Sequence, residues 1–337
     1  MRFTAVVLAA ALAACSNTAW EGKRSQGEIT LLTDMANPPI AADAVIHDLG
    51  GAFGWAEGPV WVEAIDALLM TDVPGKTIWR YDAETGLSVW MSPSTRPGAD
   101  VPDDAEGANG LFMLDGQTML VPDHGSRSLY TIGVETRDVT LLADSFDGRR
   151  LNSPNDVVVH DNSTIYFTDP PYGLSGDDDP RKEIAFNGVY ALTPSGELTL
   201  VDGGLTRPNG IALSPDQSTL FVANSDPEAS LYQTYPVSAD GAVGEGRLLA
   251  DVTDDYASAG YGLPDGMAIS RDGTIFATGP GGVLVMAADG ERLAKVSVGK
   301  PCANVTFGPF GSDDHTALYM TCQDRLYVVE TNRTGLR

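Results

Sequence analysis

The 337-residue chain sets 46 acidic side chains against 21 basic ones, a formal net charge of -25, with 43% hydrophobic residues, 37 glycines and 21 prolines. That charge excludes nucleic acid and anionic lipid surfaces as partners of the fold, since both need a basic patch. Plentiful turn residues and no long Ala/Leu/Glu/Lys run at helical period argue against an all-α chain and for one large or two average β-rich domains.

At the N-terminus, Arg2, the apolar run Phe3 to Ala13 and the segment Leu12-Ala13-Ala14-Cys15 read as an export signal over residues 1–15. The apolar stretch is too short to span a membrane as a mature helix. Leu-Ala-Ala-Cys resembles a bacterial lipoprotein box, which makes Cys15 the lipidated first residue of a periplasmic, outer-membrane-anchored protein; an ordinary secretory signal cleaved nearby is the alternative. Membrane contact is then expected only through that lipid. Residues 16–42 read as a tether ending in Pro38-Pro39, and residues 43–332 as the folded domain.

Six segments of that domain share one layout, a polar residue leading into an apolar run, a turn and further β-type runs. They begin at Glu57-Gly58-Pro59, Asn109-Gly110, Asn155-Asp156, Asn209-Gly210, Asp265-Gly266 and Asn304-Val305. The leading residues are 52, 46, 54, 56 and 39 positions apart. Runs such as Thr219-Leu220-Phe221-Val222 and hairpin turns such as Asp115-Gly116 and Asp272-Gly273 give three or four short strands per unit. A 40–50-residue period with four strands per unit is that of a β-propeller blade. The expected fold is therefore all-β, a six-bladed β-propeller with a central metal-binding channel. The sixth unit holds only three strands, and Asp43 to Asp48 is placed to supply the fourth and close the ring. Cys302 and Cys322 fall at the start of one predicted strand and the end of the next, facing each other across a hairpin near Gly311. Export permits a disulfide there, and two buried free thiols are the alternative.

In a propeller the innermost strands line the channel, so equivalent residues form a ring. Any single Asn-Gly or Asp-Gly pair can merely start a turn or cap backbone groups. Glu57, Asn155, Asn209 and Asp265 together bring two anions and two amides to one axis, where the carboxylates repel unless a divalent cation neutralises them. Such oxygen donors suit Ca²⁺ first, with Mg²⁺, Mn²⁺ or Zn²⁺ as alternatives. The four histidines, at 47, 124, 160 and 315, are too scattered for a nitrogen-rich zinc site. Asn304 is expected to be structural or at the pocket's edge, as is Asn109, which is also a candidate substrate contact. His124 is either a satisfied turn histidine or a substrate contact. Tyr172 opens an insertion that is placed to cover the channel mouth, and its acidic run Asp177-Asp178-Asp179 reads as a solvated loop. No Gly-x-Ser-x-Gly motif supports serine catalysis.

Glu57-Gly58-Pro59-Val60-Trp61, Ser153-Pro154-Asn155-Asp156-Val157, Tyr166-Phe167-Thr168-Asp169-Pro170-Pro171-Tyr172-Gly173, Arg207-Pro208-Asn209-Gly210 and Pro264-Asp265-Gly266-Met267 resemble the SMP-30/gluconolactonase/luciferin-regenerating-enzyme-like family. The resemblance runs over roughly residues 45 to 330. It implies a six-bladed propeller, one divalent cation in the channel and hydrolysis of small sugar-type lactones. It matches Glu57, Asn209 and Asp265 to metal ligands and Asn155 to a position that holds metal or substrate. Asp265 is the candidate general base or nucleophile. Related members cleave phosphotriester-like substrates or bind metal without a clear reaction, so an ester hydrolase and an envelope-anchored binding propeller are the competing readings. A monomer acting on a small molecule is expected.

Overall fold

The structure, a computed structural model, describes residues 23–311 and 314–336. The expected export signal with Cys15, and residues 16–22, lie outside the described residues. Six antiparallel sheets follow one another along the chain. Their first strands are Ala56–Val62, Phe112–Met113, Val157–Val159, Pro208–Leu213, Met267–Ile269 and Asn304–Gly308. Apart from strands from residues 23–50 that join the last two, each sheet is a meander in chain order, and its inner strands pack beside those of its neighbours. The strand Ile46–Gly50 joins the sixth sheet beside Arg325–Glu330, pairing His47 with Val328. The ring thus closes as a six-bladed propeller, with the N-terminal strand completing the last blade. No long free edge remains at the seam.

The strands carry alternating apolar side chains that face the next blade, so the core is distributed between sheets rather than gathered at one centre. Tyr166, Val189, Leu220 and Val222, for example, fill the space between blades three and four. Cys302 and Cys322 are joined by a disulfide at the entry to blade six.

Three features depart from the sequence expectation. Residues 23–31 are not a free tether, because Glu28–Leu31 pairs with Arg292–Ser297 at the rim of blade five and Lys23–Arg24 pairs with Ile46–Gly50. The reason lies in the sequence: Ile29 and Ile40 are buried apolar side chains, and Pro38 and Pro39 offer carbonyls to Asn332. Blades one and five gain fourth strands, Gly86–Met91 and Arg292–Ser297, that the sequence reading left out. A seven-residue helix, Thr253–Ala259, sits between blades four and five where strands alone were expected.

Candidate active site

The leading residue of each unit is held by its neighbour. The Thr71 hydroxyl of blade one donates to the Asn109 carbonyl of blade two at 2.8 Å, and Thr168 of blade three donates to the Asn209 carbonyl of blade four at 2.7 Å. Ser225 donates to the Pro264 carbonyl and Thr278 to that of Ala303 in the same manner. The glycine behind the polar residue makes this approach possible. A Cβ on Gly58 would stand 2.2 Å from the Asn109 carbonyl oxygen, and one on Gly210 would stand 2.1 Å from that of Asp265. The polar-glycine pairs are therefore inter-blade contacts, whereas the pattern alone also allowed simple turn starts.

Five of the six leading residues, Glu57, Asn109, Asn155, Asn209 and Asp265, line one cavity of about 530 Å³ at one mouth of the channel. Trp55, Glu106, His124, Tyr172, Ser225, Tyr256 and Tyr261 complete much of its wall. The sixth leading residue, Asn304, lines a separate cavity of about 480 Å³ at the other mouth. Its amide oxygen accepts from Val305 N–H at 2.8 Å, and its side chain favours the charged forms of both Glu57 and Asp156. Asn109 is thus a cavity residue and Asn304 a support beneath the site.

Burial dominates the electrostatics. It pushes the Glu57 carboxyl up to about 8, with the Asp156 charge adding to the rise, although Gly58 N–H and Trp55 Nε1 donate to it. Burial also pushes Asp265 well above the carboxylate range, reinforced by the charges of Glu57 and Asp156. Asp156 itself is raised to about 6 by burial. Three buried carboxyls thus act on one another, two of them lining the cavity and Asp156 behind it, and the residues that line the cavity include no Lys or Arg. Among the described residues no group of three or more His, Cys, Asp or Glu side chains forms a metal cluster, so the available donors are two carboxylates and the amides.

Asn109 Oδ1, Asn155 Oδ1 and Asp265 Oδ1 are buried and have no hydrogen-bond partner in the protein. Buried polar oxygens are rarely left this way, because each costs about 1–3 kcal/mol unless something pairs with it. Asn209 is turned by its Nδ2, which donates to Ser225 Oγ at 2.9 Å. Tyr172 lines the cavity beside the same pair, with its phenol raised by burial and by the Asp265 charge.

The acidic insertion after Tyr172 is not simply solvated. Asp179 is buried and bridged to Arg181, and Asp177 pairs with Arg207 at 2.6 Å, which ties the loop to the entry of blade four. Sequence reasoning missed Trp55, Glu106, Tyr256 and Tyr261, since none stands in the repeated position. Asp156 and Glu106 had a weak signal available, one directly after and one three residues before a leading Asn.

The family description that matches residues 55–324 is "SMP-30/Gluconolactonase/LRE-like region". The chain belongs to that family. A gluconolactonase of Zymomonas mobilis is 34% identical over 99% of this chain and 94% of its own length. A gluconolactonase structure from Xanthomonas campestris superposes with a TM-score of 0.77 at 27% identity, covering 91% of this chain and 96% of the other. A calcium-binding regucalcin from Agrobacterium tumefaciens has a TM-score of 0.66 at 16% identity, covering 90% and 98%, a likeness of fold alone. Lactone hydrolysis is the activity class these likenesses support.

Proposed function

We propose that this chain is an exported, metal-dependent hydrolase that opens a small, sugar-type lactone. Glu57, Asn155, Asn209 and Asp265 would hold one divalent cation, with Ca²⁺ favoured by an all-oxygen donor set. The observation that carries the reading is the set of unpartnered buried oxygens, Asn155 Oδ1 and Asp265 Oδ1 among them, beside mutually destabilising carboxyls in a cavity. When bound, the cation would supply Lewis acidity toward the lactone carbonyl and a positive charge against the oxyanion that develops there.

The remaining chemistry belongs to the protein. Asp265 Oδ1 faces no protein donor, so it is free to take the proton of an attacking water or to attack the carbonyl carbon itself. Asn109 and Asn155 offer amide oxygens that would accept from sugar hydroxyls or orient the ester. Trp55, Tyr172, Tyr256 and Tyr261 present aromatic wall to a small ring and exclude water from around it. A buried Asp265 accepts a proton readily, because its charged form is disfavoured without a counter-charge.

The test uses the mature chain stripped with chelator, offered a panel of small lactones with Ca²⁺, Mg²⁺, Mn²⁺ and Zn²⁺ restored separately. Hydrolysis that depends on a restored cation is expected, and hydrolysis of none of the lactones under any metal would overturn the proposal. A single turnover in ¹⁸O water separates the two roles of Asp265, since only attack by its carboxylate leaves label in that side chain. Export with lipidation at Cys15 is read independently, by the mass of the mature N-terminus and by its membrane fraction.

A further inference from the structure

One histidine touches two of the amides that face the cavity. His124 Nε2 lies 3.3 Å from Asn109 Nδ2 and 3.4 Å from Asn155 Nδ2. Its other ring nitrogen, Nδ1, lies 2.9 Å from Glu106 Oε2. The imidazole is 1% exposed, while Glu106 is 37% exposed. A carboxylate only accepts, so Nδ1 carries a proton, and amide NH₂ groups only donate, so the two that face Nε2 require its lone pair. An amide fixed by its nitrogen has its oxygen fixed on the opposite side. In both residues that oxygen is the buried atom without a protein partner.

We infer that His124, held by Glu106, is a positioning residue that turns the Oδ1 atoms of Asn109 and Asn155 together into the cavity. The inference rests on the metal-dependent reading above and says which atoms keep the donor set pointed at its guest. Without an acceptor at Nε2, each amide is free to rotate by half a turn and present N–H groups beside Glu57 and Asp265. That orientation satisfies the carboxylates internally and repels a cation. The seat of the imidazole is built for it. His124 N–H donates to the Gly107 carbonyl at 3.2 Å, next in sequence to Glu106. Gly173, directly after Tyr172, packs so close that a Cβ there would stand 2.6 Å from the His124 Cβ. Gly125 lies as near the Glu106 carbonyl, where an added Cβ would come to 2.4 Å. The Tyr172 loop and the Glu106 segment therefore hold the His124 backbone and Cβ from two sides. This role differs from both sequence expectations for His124, a satisfied turn residue or a substrate contact, because it acts through Asn109 and Asn155.

The test uses the full mature chain and three variants, His124→Leu, His124→Gln and Glu106→Leu. Imidazole ¹⁵N shifts of the wild-type chain read the tautomer without any metal, and a proton on Nδ1 with a bare Nε2 is expected. A proton on Nε2 overturns the inference. Calorimetric titration with Ca²⁺ alone should show His124→Leu weakened about 10- to 100-fold, the usual cost of losing a group that orients a ligand. His124→Gln, whose side-chain oxygen can accept from both amides, should recover most of that loss at equal melting temperature. Glu106→Leu, at a half-exposed site that tolerates substitution, should weaken Ca²⁺ in the same direction and raise KM for the lactone more than it lowers kcat. Wild-type affinity in both His124→Leu and Glu106→Leu would overturn the inference. Should His124→Leu not fold, Glu106→Leu and the tautomer decide it. A wild-type chain that binds no Ca²⁺ overturns the metal reading, and the ¹⁵N shifts then decide this inference alone.

Discussion

At one mouth of the channel the inner segments present Glu57, Asn109, Asn155, Asn209 and Asp265, whereas three residues further along each they present Val60, Phe112, Val158, Ala212 and Ala268 at the other. The same strands thus make a polar end and an apolar end within roughly 10 Å of extended chain. The difference lies in what is left over. At the polar end buried oxygens lack partners, while at the far end Asn304 and Asp156 are already occupied, Asn304 Oδ1 by the Val305 N–H and Asp156 by the Val157 and Ile211 N–H groups. On the proposed function, a cation is therefore expected at the polar mouth. Among the described residues that line the apolar mouth, with Trp61, Phe307 and Leu336 in its wall, no buried side-chain oxygen lacks a partner.

The largest expected break in this contrast is at Asp265. Asp265→Ala removes an oxygen from the polar end and the candidate base with it, and kcat/KM for a lactone should fall about 100- to 10,000-fold. Circular dichroism should still report a folded propeller, since the segment's backbone stays fixed by Ser225 and by Gly266 N–H donating to the Ala303 carbonyl at 2.7 Å. Undiminished turnover would move the chemistry away from this mouth.

A second measurement reads the shared burial of the carboxyls through pH. Glu57 rises from its ordinary 4.5 to about 8 on folding, so the folded chain holds that proton more tightly than the unfolded one. Stability from this group is therefore full below about pH 4.5 and is lost as pH climbs toward 8. Asp265 is shifted in the same direction. The melting temperature of the chelated chain should fall between pH 5 and pH 8, and Glu57→Gln should flatten the slope. The increment added by Ca²⁺ should grow over the same window, because binding uses the charged forms. A chelated chain whose melting temperature is level from pH 5 to pH 8 contradicts the account.

How much of this was legible in the chain follows from what a repeat can encode. The blade period and the leading oxygens recur at fixed offsets, so the fold and the ring of Glu57, Asn155, Asn209 and Asp265 can be read directly. The closing strand near Ile46 was visible as well, because blade six lacked one. Residues 23–31 were not, since a short polar stretch around one buried Ile29 carries no period, and only pairing with blade five makes it a strand. Tyr256 was hidden for a related reason. It enters the cavity from a seven-residue helix in a connection, where position depends on the surrounding packing. His124 was visible as a residue but not as a link, because its partners come from 15 and 31 positions away.

The wall of the polar end has its own fastening, which the other end lacks. The Cys302–Cys322 bridge spans 20 positions, and Cys302 borders the cavity. Replacing both with serine should cost about 3 kcal/mol of stability by chain entropy, measured by denaturant titration. The fraction that folds should keep its Ca²⁺ affinity if the bridge only fastens the wall. Affinity that collapses with the bridge would make it part of how the donors are aimed.

The smallest effect is expected at the apolar mouth, and its smallness is the point. His315 Nε2 lies 2.7 Å from Glu63 Oε1 at the rim there, with the Glu63 side chain 64% exposed. The His315 side chain is 7% exposed, but its partner carboxylate is largely in water, so the contact should be worth no more than about 1 kcal/mol. Glu63→Gln should therefore leave kcat/KM and Ca²⁺ affinity unchanged and shift the denaturation midpoint only slightly. Both Glu57 and Glu63 belong to the first unit, six positions apart, one shut inside the polar end and one open at the apolar rim. If the outer substitution weakened calcium binding as the inner one should, the two mouths would be electrostatically continuous, and the confinement of the charged site to one end would fail.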